Sequence, residues 1–389
     1  MRTPPLRIAL VIERFVPGAG GVENVAWQVA HALADAGEDV TVLAREIAPQ
    51  AAVETQLLRA PRAWQPLRVR TFSRAAARAT GRPHPDSTPE SQKRRFDVVH
   101  SFSRTRHQDL YRAGGGSHDD FLRRTYPGPR HLARRLSPRH RTLLDLEARV
   151  FADPKQKIQC ASRFVADALV EKHQVAEERI LLLPNGVDLE RFSPGKHRAA
   201  GADLRARLSP EAEQVWLFPA SGWLRKGLPE LLEALARLGD PGLSLWIAGR
   251  DDPAPWRARA EKLGVDQALR FLGPRDDLET VYAAVDGVVL PTRYDAFANV
   301  TIEAAAMGLP IISTESNGAS EWLAPDLVSI DEAGDAFLIA DALASLADPA
   351  ERAFRGQRLA ERAQAFGWAT HIDSLRQEYA AISAKRDSS

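Results

Sequence analysis

The first half of the chain alternates short apolar runs with amphipathic stretches. Arg7–Ile12 is an apolar run that predicts a buried strand, and the glycine-rich segment Pro17–Gly21 follows it as a loop. Val22–Ala36 has apolar residues at helical spacing and ends at Gly37. Val40–Leu43 predicts the next strand. This order is typical of a βαβ unit with parallel strands.

The rest of the first half is less regular. Residues 73–95 are poor in large apolar side chains and rich in Pro, Ser, Arg and Ala, so we expect a loop there. Asp97–His100 and Asp109–Ala113 predict two more strands, and the second runs into Gly114–Gly116. Residues 181–196 contain Pro and Asn-Gly turn signals with little periodicity, which favours a domain boundary in this segment.

The second half repeats the same alternation. The predicted strands are Val215–Ala220, Leu243–Ala248, Leu269–Leu272, Val288–Pro291 and Pro310–Thr314. Leu228–Leu238 carries leucines on one side and predicts a helix after the loop Gly222–Gly227, and further helices close the chain. We therefore expect two α/β domains in series, whose ligands bind at the carboxyl ends of the parallel strands.

Length and composition agree with a soluble two-domain enzyme. A chain of 389 residues exceeds one typical core. The single cysteine, Cys160, allows no disulfide framework and is compatible with a reducing compartment. Glu13 and Arg14 interrupt the first apolar run, and no apolar stretch approaches the roughly 18 residues that a membrane span needs. We expect a cytoplasmic protein without a signal peptide or transmembrane segment.

Charge is distributed unevenly along the chain. Residues 1–200 hold 33 Lys and Arg against 22 Asp and Glu, whereas residues 201–389 hold 19 against 29. The formal net charge is only +1, so a basic half is joined to an acidic half. The densest basic segment, residues 121–141, has seven arginines and no acid. It is either a solvated helix face or a surface for a phosphorylated substrate, an anionic lipid or nucleic acid.

Two acids with seven residues between them flank the start of a predicted helix in the second half. Asn299 is the expected N-cap of a short helix over Val300–Met307. Unpaired amides at Phe297–Val300 and the helix dipole would favour an anion such as a phosphate. Asp295 and Glu303 would then accept hydrogen bonds from hydroxyl groups on either side of it. The alternative, judged on spacing alone, is a turn residue at Asp295 and a surface helix position at Glu303.

Two glycine-bounded loops supply further candidate anion contacts. In SGWLRKG, residues 221–227, Arg225 and Lys226 precede a helix N-terminus, where cations are unfavourable unless an anion is near. The alternative is two exposed cations. Residues 18–21 form a Gly-Ala-Gly-Gly loop that would let a ligand approach the backbone, although a plain tight turn has the same composition. Glu23 stands where the dinucleotide fingerprint needs glycine, which argues against a dinucleotide oxidoreductase.

Metal and covalent chemistry have little support in the sequence. There is no D-x-D, no H-E-x-x-H, no G-x-S-x-G and no phosphate-binding P-loop. Adjacent acid pairs would point apart on a strand, and one cysteine cannot build a cysteine-rich zinc site. We therefore expect no metal and no cofactor.

Taken together and in order, these motifs resemble those of retaining nucleotide-sugar glycosyltransferases of GT-B fold, of the family 4 type. The resemblance covers nearly the whole chain: the first strand with its Gly-Gly loop, LLLPNGVDLERFSP, SGWLRKG and YDAFANVTIEAAAMGLPII. LRKG and TRHQDLYRAGGG most resemble lipopolysaccharide-core glucosyltransferases. The implied fold is two Rossmann-like α/β domains that face a central cleft. FGWATHIDSLRQEY resembles the family's final helix, which crosses back to the first domain.

The resemblance also implies domain limits and roles for matching residues. It implies an acceptor-binding domain at residues 1–184, completed by the terminal helix 366–389, and a donor-binding domain at 185–365. Asp295 and Glu303 match the E-x7-E signature, in which the first acid faces the donor sugar and the second binds the nucleotide ribose. The amides of Phe297, Ala298 and Asn299 are implied to contact the phosphates.

The remaining matches concern the leaving group and the transferred sugar. Arg225 and Lys226 are implied to neutralise the departing diphosphate. The first half supplies the loop that nears the diphosphate and the histidine that contacts the sugar. These candidates are Gly20, Gly21 and His118, with Asp109 and His107 as rivals of His118.

The implied activity is metal-independent, retaining transfer of a hexose, with UDP-glucose favoured as donor, to a cell-envelope glycan or glycolipid such as lipopolysaccharide core. Implied partners are the nucleotide sugar, an anionic acceptor and an anionic membrane surface bound by the basic N-terminal domain, but no nucleic acid. The implied location is cytoplasmic, or peripheral on the inner face of the cytoplasmic membrane.

Two rival functions remain open at this point. One is a nucleotide-sugar epimerase of the same fold, and the other is a sugar-nucleotide-binding protein that has lost catalysis. Three departures from the family pattern bear on the second rival. Asp295 is one methylene shorter than the usual Glu, Ala298 replaces a Gly, and Trp223 stands where many members have Arg.

Overall fold

Each half of the chain folds around its own parallel sheet, as seen in a computed structural model that describes residues 4–60, 64–81, 96–126, 128–331 and 334–387. The chain divides into two units, Met1–Gly186 with Trp368–Ser389, and Val187–Gly367. The limits expected from the sequence, 184/185 and 365/366, fall two residues before each of these divisions.

The described part of the first unit contains a sheet whose strands all pair in parallel. Its strands are β1 (Arg7–Phe15), β2 (Asp39–Ile47), β3 (Glu54–Leu57), β4 (Val98–Ser101), β5 (Leu110–Arg112), β6 (Lys157–Cys160) and β7 (Ile180–Leu182). Its helices are α1 (Gly21–Asp35), α2 (Gln65–Ala79), α3 (His118–Thr125), α4 (Arg130–Arg135), α5 (Pro138–Ala152) and α6 (Arg163–His173). The strand order is β3-β2-β1-β4-β5-β6-β7, so the winding direction reverses beside β1.

Both faces of β1 are buried, which explains why its sequence is a continuous apolar run rather than an alternating one. Ile8, Leu10 and Ile12 pack into the core on the α1 side of the sheet. Ala9 and Val11 pack into a second core against α2 on the other side. The strand at the centre of a doubly wound sheet is therefore the element that the sequence identifies most directly.

The expectation of a loop at residues 73–95 is wrong for residues 73–79. Residues 73–79 belong to α2, and residues 82–95 lie outside the described residues. Val69, Phe72 and Ala76 are buried at helical spacing, and the alanines between them favour a helix. The expectation failed because α2 buries small side chains, which a search for large apolar residues overlooks.

The second unit is also built of layers around a parallel sheet. Its strands are β8 (Gln214–Pro219), β9 (Leu243–Ala248), β10 (Leu269–Gly273), β11 (Gly287–Leu290), β12 (Ile311–Thr314) and β13 (Val328–Ile330). Its helices are α7 (Arg198–Leu208), α8 (Leu228–Leu238), α9 (Ala254–Leu263), α10 (Leu278–Ala283), α11 (Asn299–Ala306), α12 (Ser320–Leu323), α13 (Ala336–Ser345) and α14 (Pro349–Ala363). The strand order in this sheet is β10-β9-β8-β11-β12-β13. Together the two sheets confirm the α/β class with parallel layers.

The last helix, α15 (Trp368–Asp387), belongs to the first unit. Ile372, Leu375 and Tyr379 pack into the same core as α1 and β1. The hydroxyl of Tyr379 lies 2.7 Å from Nδ1 of His100 on β4. The final segment of the chain therefore completes the core of the unit in which the chain begins.

Two glycines with positive φ provide a matched test of the loop that precedes α8. A Cβ on Gly227 (φ +87°) would lie 2.1 Å from the carbonyl oxygen of Pro291, whereas a Cβ on Gly264 (φ +70°) would have no atom within 4 Å. We expect Gly264→Ala to lower the free energy of unfolding by about 1 kcal/mol, because only the backbone is strained. Gly227→Ala should cost about 1–3 kcal/mol more, because the backbone of Pro291 must move. Equal melting temperatures of the two variants would contradict this packing.

Candidate functional site

The candidate residues of the second unit meet at the carboxyl edge of its sheet. β8 leads into the loop that carries Arg225 and Lys226, and β11 leads into the loop that carries Asp295. The amide of Arg293 donates a hydrogen bond to the carbonyl of Arg225 (2.9 Å), which joins the two loops. Because β8 and β11 are neighbours, Lys226 and Asp295 touch although they are 69 positions apart.

The carboxylate of Asp295 binds both cations. Lys226 Nζ donates a hydrogen bond to Oδ2, and Arg225 Nη1 lies 3.7 Å from the same oxygen. Burial by itself would raise the pKa of Asp295, but Lys226 and Arg225 outweigh it and hold the pKa below its usual value. Burial lowers the pKa of Lys226, and the charge of Asp295 opposes that shift. The cluster holds two cations and one anion, so a negatively charged ligand would complement it.

A buried tryptophan and an acid fix the loop that carries the two cations. Trp223 is 1% exposed and lies in the hydrophobic core, where Nε1 donates a hydrogen bond to the carbonyl of Ala220 (2.6 Å). Asp251, after β9, accepts hydrogen bonds from the amides of Gly222 (2.7 Å) and Trp223 (3.1 Å). Trp223 therefore anchors the loop in the core instead of presenting a polar group to a ligand.

The expectation of unpaired amides at Phe297–Val300 is wrong for two of them. The amide of Phe297 donates to Asp295 Oδ1 (3.2 Å), and the amide of Ala298 donates to Asn317 Oδ1 (3.1 Å). Asn317 is 1% exposed and lies in the loop after β12. The helix also starts one residue earlier than expected, so that Ala298 rather than Asn299 occupies the cap position, without a capping side chain. Side chains of the protein itself, one from the same loop and one from the loop after β12, therefore accept these two amides.

Glu303 lies one turn into α11 and is paired with a tyrosine. The hydroxyl of Tyr282 on α10 donates a hydrogen bond to Glu303 Oε2 (3.0 Å). Burial raises the pKa of Glu303 to about 7, while the hydrogen bond from Tyr282 and the charge of Arg191 act in the opposite direction. This carboxyl group therefore titrates near neutral pH, and it is not the surface helix position that spacing alone allowed.

The glycine candidates of the first unit lie at the carboxyl edge of that unit's sheet. Gly20 is the residue before α1 and Gly21 is its first residue. The side chain of Asn24 folds back over the loop and accepts a hydrogen bond from the amide of Gly18 (2.6 Å). A Cβ on Gly20 would lie 2.6 Å from Oε2 of Glu23, so a larger residue there would displace that side chain.

His118 begins α3 and is held by polar partners on two sides. Its Nε2 lies 2.8 Å from Nδ1 of His140, and its amide donates to Oε2 of Glu147 (2.7 Å). Glu147 is buried and also accepts a hydrogen bond from Arg104 (2.7 Å). Burial lowers the pKa of His118 to about 3, and the charge of Arg104 adds to this effect. The imidazole is therefore neutral at physiological pH and suited to hydrogen bonding rather than to charge stabilisation.

Asp109 is separated from the other candidates of the first unit. It precedes the amino end of β5, whereas His118 follows the carboxyl end of that strand through the glycine run. Its carboxylate accepts a hydrogen bond from the amide of Val99 (2.8 Å) and forms an ion pair with Arg386 of α15 (2.8 Å). Asp109 thus joins the last helix to the sheet at the edge opposite to the one where ligands of such sheets bind. Its rival His107 lies in the loop between β4 and β5.

Most of the residues that hold these candidates in place carry no local sequence signal. They contact these candidates only through the fold, and they are His140 and Glu147 of α5, Asp251, Tyr282 and Asn317. The Asn-Gly pair at 317–318 is a turn signal after a predicted strand, which could have drawn attention to Asn317.

Comparisons with known proteins match each unit to a glycosyltransferase model. Residues 19–191 match the model described as Glycosyltransferase Family 4, and residues 213–355 match the model described as Glycosyl transferases group 1. A D-inositol 3-phosphate glycosyltransferase of Saccharomonospora viridis is 32% identical over 263 residues, which cover 61% of this chain and 58% of the relative. The chain spans a little over half the length of the curated relatives it matches.

Solved structures of similar fold cover nearly the whole chain. WaaG, a glycosyltransferase involved in lipopolysaccharide biosynthesis, matches with a TM-score of 0.77 at 21% identity, covering 92% of this chain and 95% of that one. HepE of Anabaena, in complex with UDP-glucose, matches with a TM-score of 0.73 at 17% identity, covering 97% and 100%. These matches confirm the GT-B fold with two Rossmann-like units. They support the resemblance to lipopolysaccharide enzymes at the level of fold, and the epimerase alternative is not favoured.

Two properties of the described residues concern membranes and metals. No helix in the described ranges is both long and apolar enough to cross a bilayer. In the same ranges, no group of three or more His, Cys, Asp and Glu side chains is arranged to hold a metal. Metal independence and the absence of a cofactor stay predictions.

The raised pKa of Glu303 predicts a pH-dependent stability. Between its ordinary value near 4.5 and the folded value of about 7, the folded state binds a proton that the unfolded state releases, so the contribution of Glu303 falls as pH rises. Glu303→Gln removes this titration and keeps an acceptor for Tyr282. We expect the stability of the variant relative to wild type to increase from pH 4.5 to 7, by on the order of 2–3 kcal/mol. A pH-independent difference in melting temperature would contradict the assigned burial.

Proposed function

We propose that this chain is a retaining glycosyltransferase that transfers a hexose from a nucleotide diphosphate sugar, with UDP-glucose as the favoured donor. The observation that carries the proposal is the cluster of Arg225, Lys226 and Asp295 at the carboxyl edge of the second sheet, on the same edge as Glu303. Cations suit a diphosphate, and carboxylates suit the hydroxyls of ribose and sugar. The two matched glycosyltransferase models and the UDP-glucose complex of HepE support this choice.

The proposed mechanism depends on stabilising the leaving group. As the bond between the anomeric carbon and the phosphate oxygen breaks, negative charge grows on the diphosphate. Arg225 and Lys226 stabilise that charge more strongly in the transition state than in the bound donor. The acceptor hydroxyl attacks the face that the diphosphate leaves, and a phosphate oxygen takes its proton. An inverted product anomer, or a trapped covalent glycosyl-enzyme intermediate, would rule this mechanism out.

The proposed acceptor is an anionic cell-envelope glycan or glycolipid. The matched relative is named for D-inositol 3-phosphate, which is an anion, and WaaG is described as involved in lipopolysaccharide biosynthesis. The excess of basic residues in the first half of the chain favours an acceptor of negative charge. In this proposal the neutral imidazole of His118 donates or accepts a hydrogen bond at the transferred sugar.

Donor binding is tested by thermal shift with UDP-glucose, GDP-glucose and ADP-glucose. A ligand that binds only the folded protein raises the melting temperature by mass action, and UDP-glucose should give the largest shift. Glu303→Ala should abolish the shift, because the ribose loses its carboxylate. Glu261→Ala, on the exposed side of α9, is the matched control and should keep it. A shift that survives Glu303→Ala would place the nucleotide elsewhere.

We further propose that the first unit docks on an anionic membrane surface, which would give a protein of the cytoplasm a peripheral location. Helices α2, α3, α4 and α5 pack together on the described part of the unit and carry twelve arginines against four acids. Glu13, Asp119 and Asp145 pair with four of these arginines, Arg68, Arg123, Arg135 and Arg149, and the helices keep an excess of positive charge. Leu132 and Leu136 at α4 are 56% and 73% exposed. Exposed leucines between arginines suit the interface of an anionic bilayer.

Vesicle binding tests the membrane proposal. The full chain should co-sediment with phosphatidylglycerol vesicles at low salt and be released by about 0.5 M salt. It should not bind phosphatidylcholine vesicles. The double variant Leu132→Gln, Leu136→Gln should bind more weakly. Phe354→Gln, which removes a 57% exposed side chain of the second unit, should not change binding. Equal binding to charged and neutral vesicles would sink this part of the proposal.

A further inference from the structure

The hydrogen-bond partners of Asp295 are the groups that the proposed function assigns to the donor diphosphate. One carboxylate oxygen takes Lys226 and lies 3.7 Å from Arg225, and the other accepts the amide of Phe297. The carboxylate of Asp295 therefore already lies beside Lys226 and Arg225, where the proposed function places the diphosphate. The side chains of Lys226 and Asp295 are 8% and 17% exposed, so water replaces little of this pairing.

The backbone at Asp295 is fixed, so only its side chain is free to change partners. The amide of Asp295 donates to the carbonyl of Ser316 (2.9 Å), and the amide of Gly318 donates to the carbonyl of Asp295 (2.9 Å). These bonds form a parallel bridge between Asp295 and Asn317. Arg225 is held as well, because its Nη1 donates a hydrogen bond to the carbonyl of Tyr294. A rotation of the Asp295 side chain is therefore the smallest movement that makes Lys226 available to another anion.

Charge balance explains why an anion is needed in the free protein. Lys226 is buried, and a buried ammonium group without a partner is costly. A diphosphate would take over this role, but it would then lie beside the carboxylate that it displaced. Two anions in one partly buried site repel each other unless the carboxylate finds new hydrogen-bond donors.

We propose that Asp295 is a built-in competitor of the diphosphate that discriminates a nucleotide sugar from the nucleoside diphosphate left after transfer. With an intact donor, the displaced carboxylate accepts hydrogen bonds from sugar hydroxyls. After transfer the nucleoside diphosphate no longer carries the sugar whose hydroxyls bind the displaced carboxylate, so the carboxylate returns to Lys226 and the product is expelled. This role rests on the proposed function, and it assigns to Asp295 a negative contribution to product binding in addition to any contact with the sugar.

The test measures dissociation constants of Asp295→Asn by calorimetry with UDP, UDP-glucose and pyrophosphate. The variant keeps the shape of the side chain and removes its charge. The variant should bind UDP and pyrophosphate on the order of tenfold more tightly than wild type does. Its affinity for UDP-glucose should rise by less than this, or fall. Asp240→Asn, which makes the same charge change at the opposite edge of the second sheet, should leave all three constants unchanged.

A double variant guards against an effect of misfolding. Asp295→Asn leaves Lys226 without its partner and should lower the melting temperature, and pyrophosphate should restore it. Lys226→Gln combined with Asp295→Asn removes both charges, so the double variant should fold and show no gain for pyrophosphate. If the double variant binds pyrophosphate as tightly as Asp295→Asn, Lys226 is not the group that Asp295 masks, and the inference is wrong.

The outcomes separate this inference from the proposed function. If wild type binds UDP-glucose but Asp295→Asn has no higher affinity for UDP or pyrophosphate than wild type, the inference fails and the donor assignment stands. If Asp295→Asn binds pyrophosphate more tightly than wild type while neither protein binds any nucleotide or nucleotide sugar, the masked anion site is real and the proposed function is wrong. If no ligand binds either protein, both are overturned.

Discussion

The buried ion pair between Lys226 and Asp295 is the interaction that organises the carboxyl edge of the second sheet. It joins the loop after β8 to the loop after β11, and so gives the carboxyl edge of the second sheet a defined shape. Gly227 fits closely against the carbonyl of Pro291, and Trp223 ties the first loop to the core. The charge of Asp295 is stabilised at this depth because both of its carboxylate oxygens accept hydrogen bonds, one from Lys226 and one from the amide of Phe297.

At the same edge, side chains of the protein satisfy backbone amides next to a helix start. Side-chain oxygens of Asp295 and Asn317 accept the amides of Phe297 and Ala298, which a helix start leaves unsatisfied. Burial instead raises the pKa of Glu303 to about 7. Two acids separated by seven residues thus have opposite electrostatic environments. One is strongly ionised beside two cations, and the other is half protonated near neutral pH.

The first unit distributes its polar groups differently. His118 and His140 share a hydrogen bond in a buried position, and Arg104 lowers the pKa of His118 further. The arginines of α2 to α5 remain largely at the surface, where hydration makes their mutual repulsion tolerable. A neutral hydrogen-bonding group and a basic exterior are thus built into one layer of helices, because α5 supplies both His140 and part of the basic surface.

The sequence predicted the two parallel α/β units, most of their strands, and the motifs that come together at the carboxyl edges. Apolar runs, glycine stops and ordered motifs are local signals, and parallel sheets place their loops at predictable edges. It failed at α2, whose buried alanines give a weak signal, and at the cap of α11. The assembled fold was needed to show that Asp295 binds Lys226 and that Asn317 accepts a hydrogen bond from the amide of Ala298. It also showed that Tyr282 donates a hydrogen bond to Glu303 and that Asp109 lies at the amino edge of the first sheet beside Arg386. These facts depend on contacts between residues far apart in the chain, and hydrogen bonding and burial at such contacts are fixed only when the sheets are assembled.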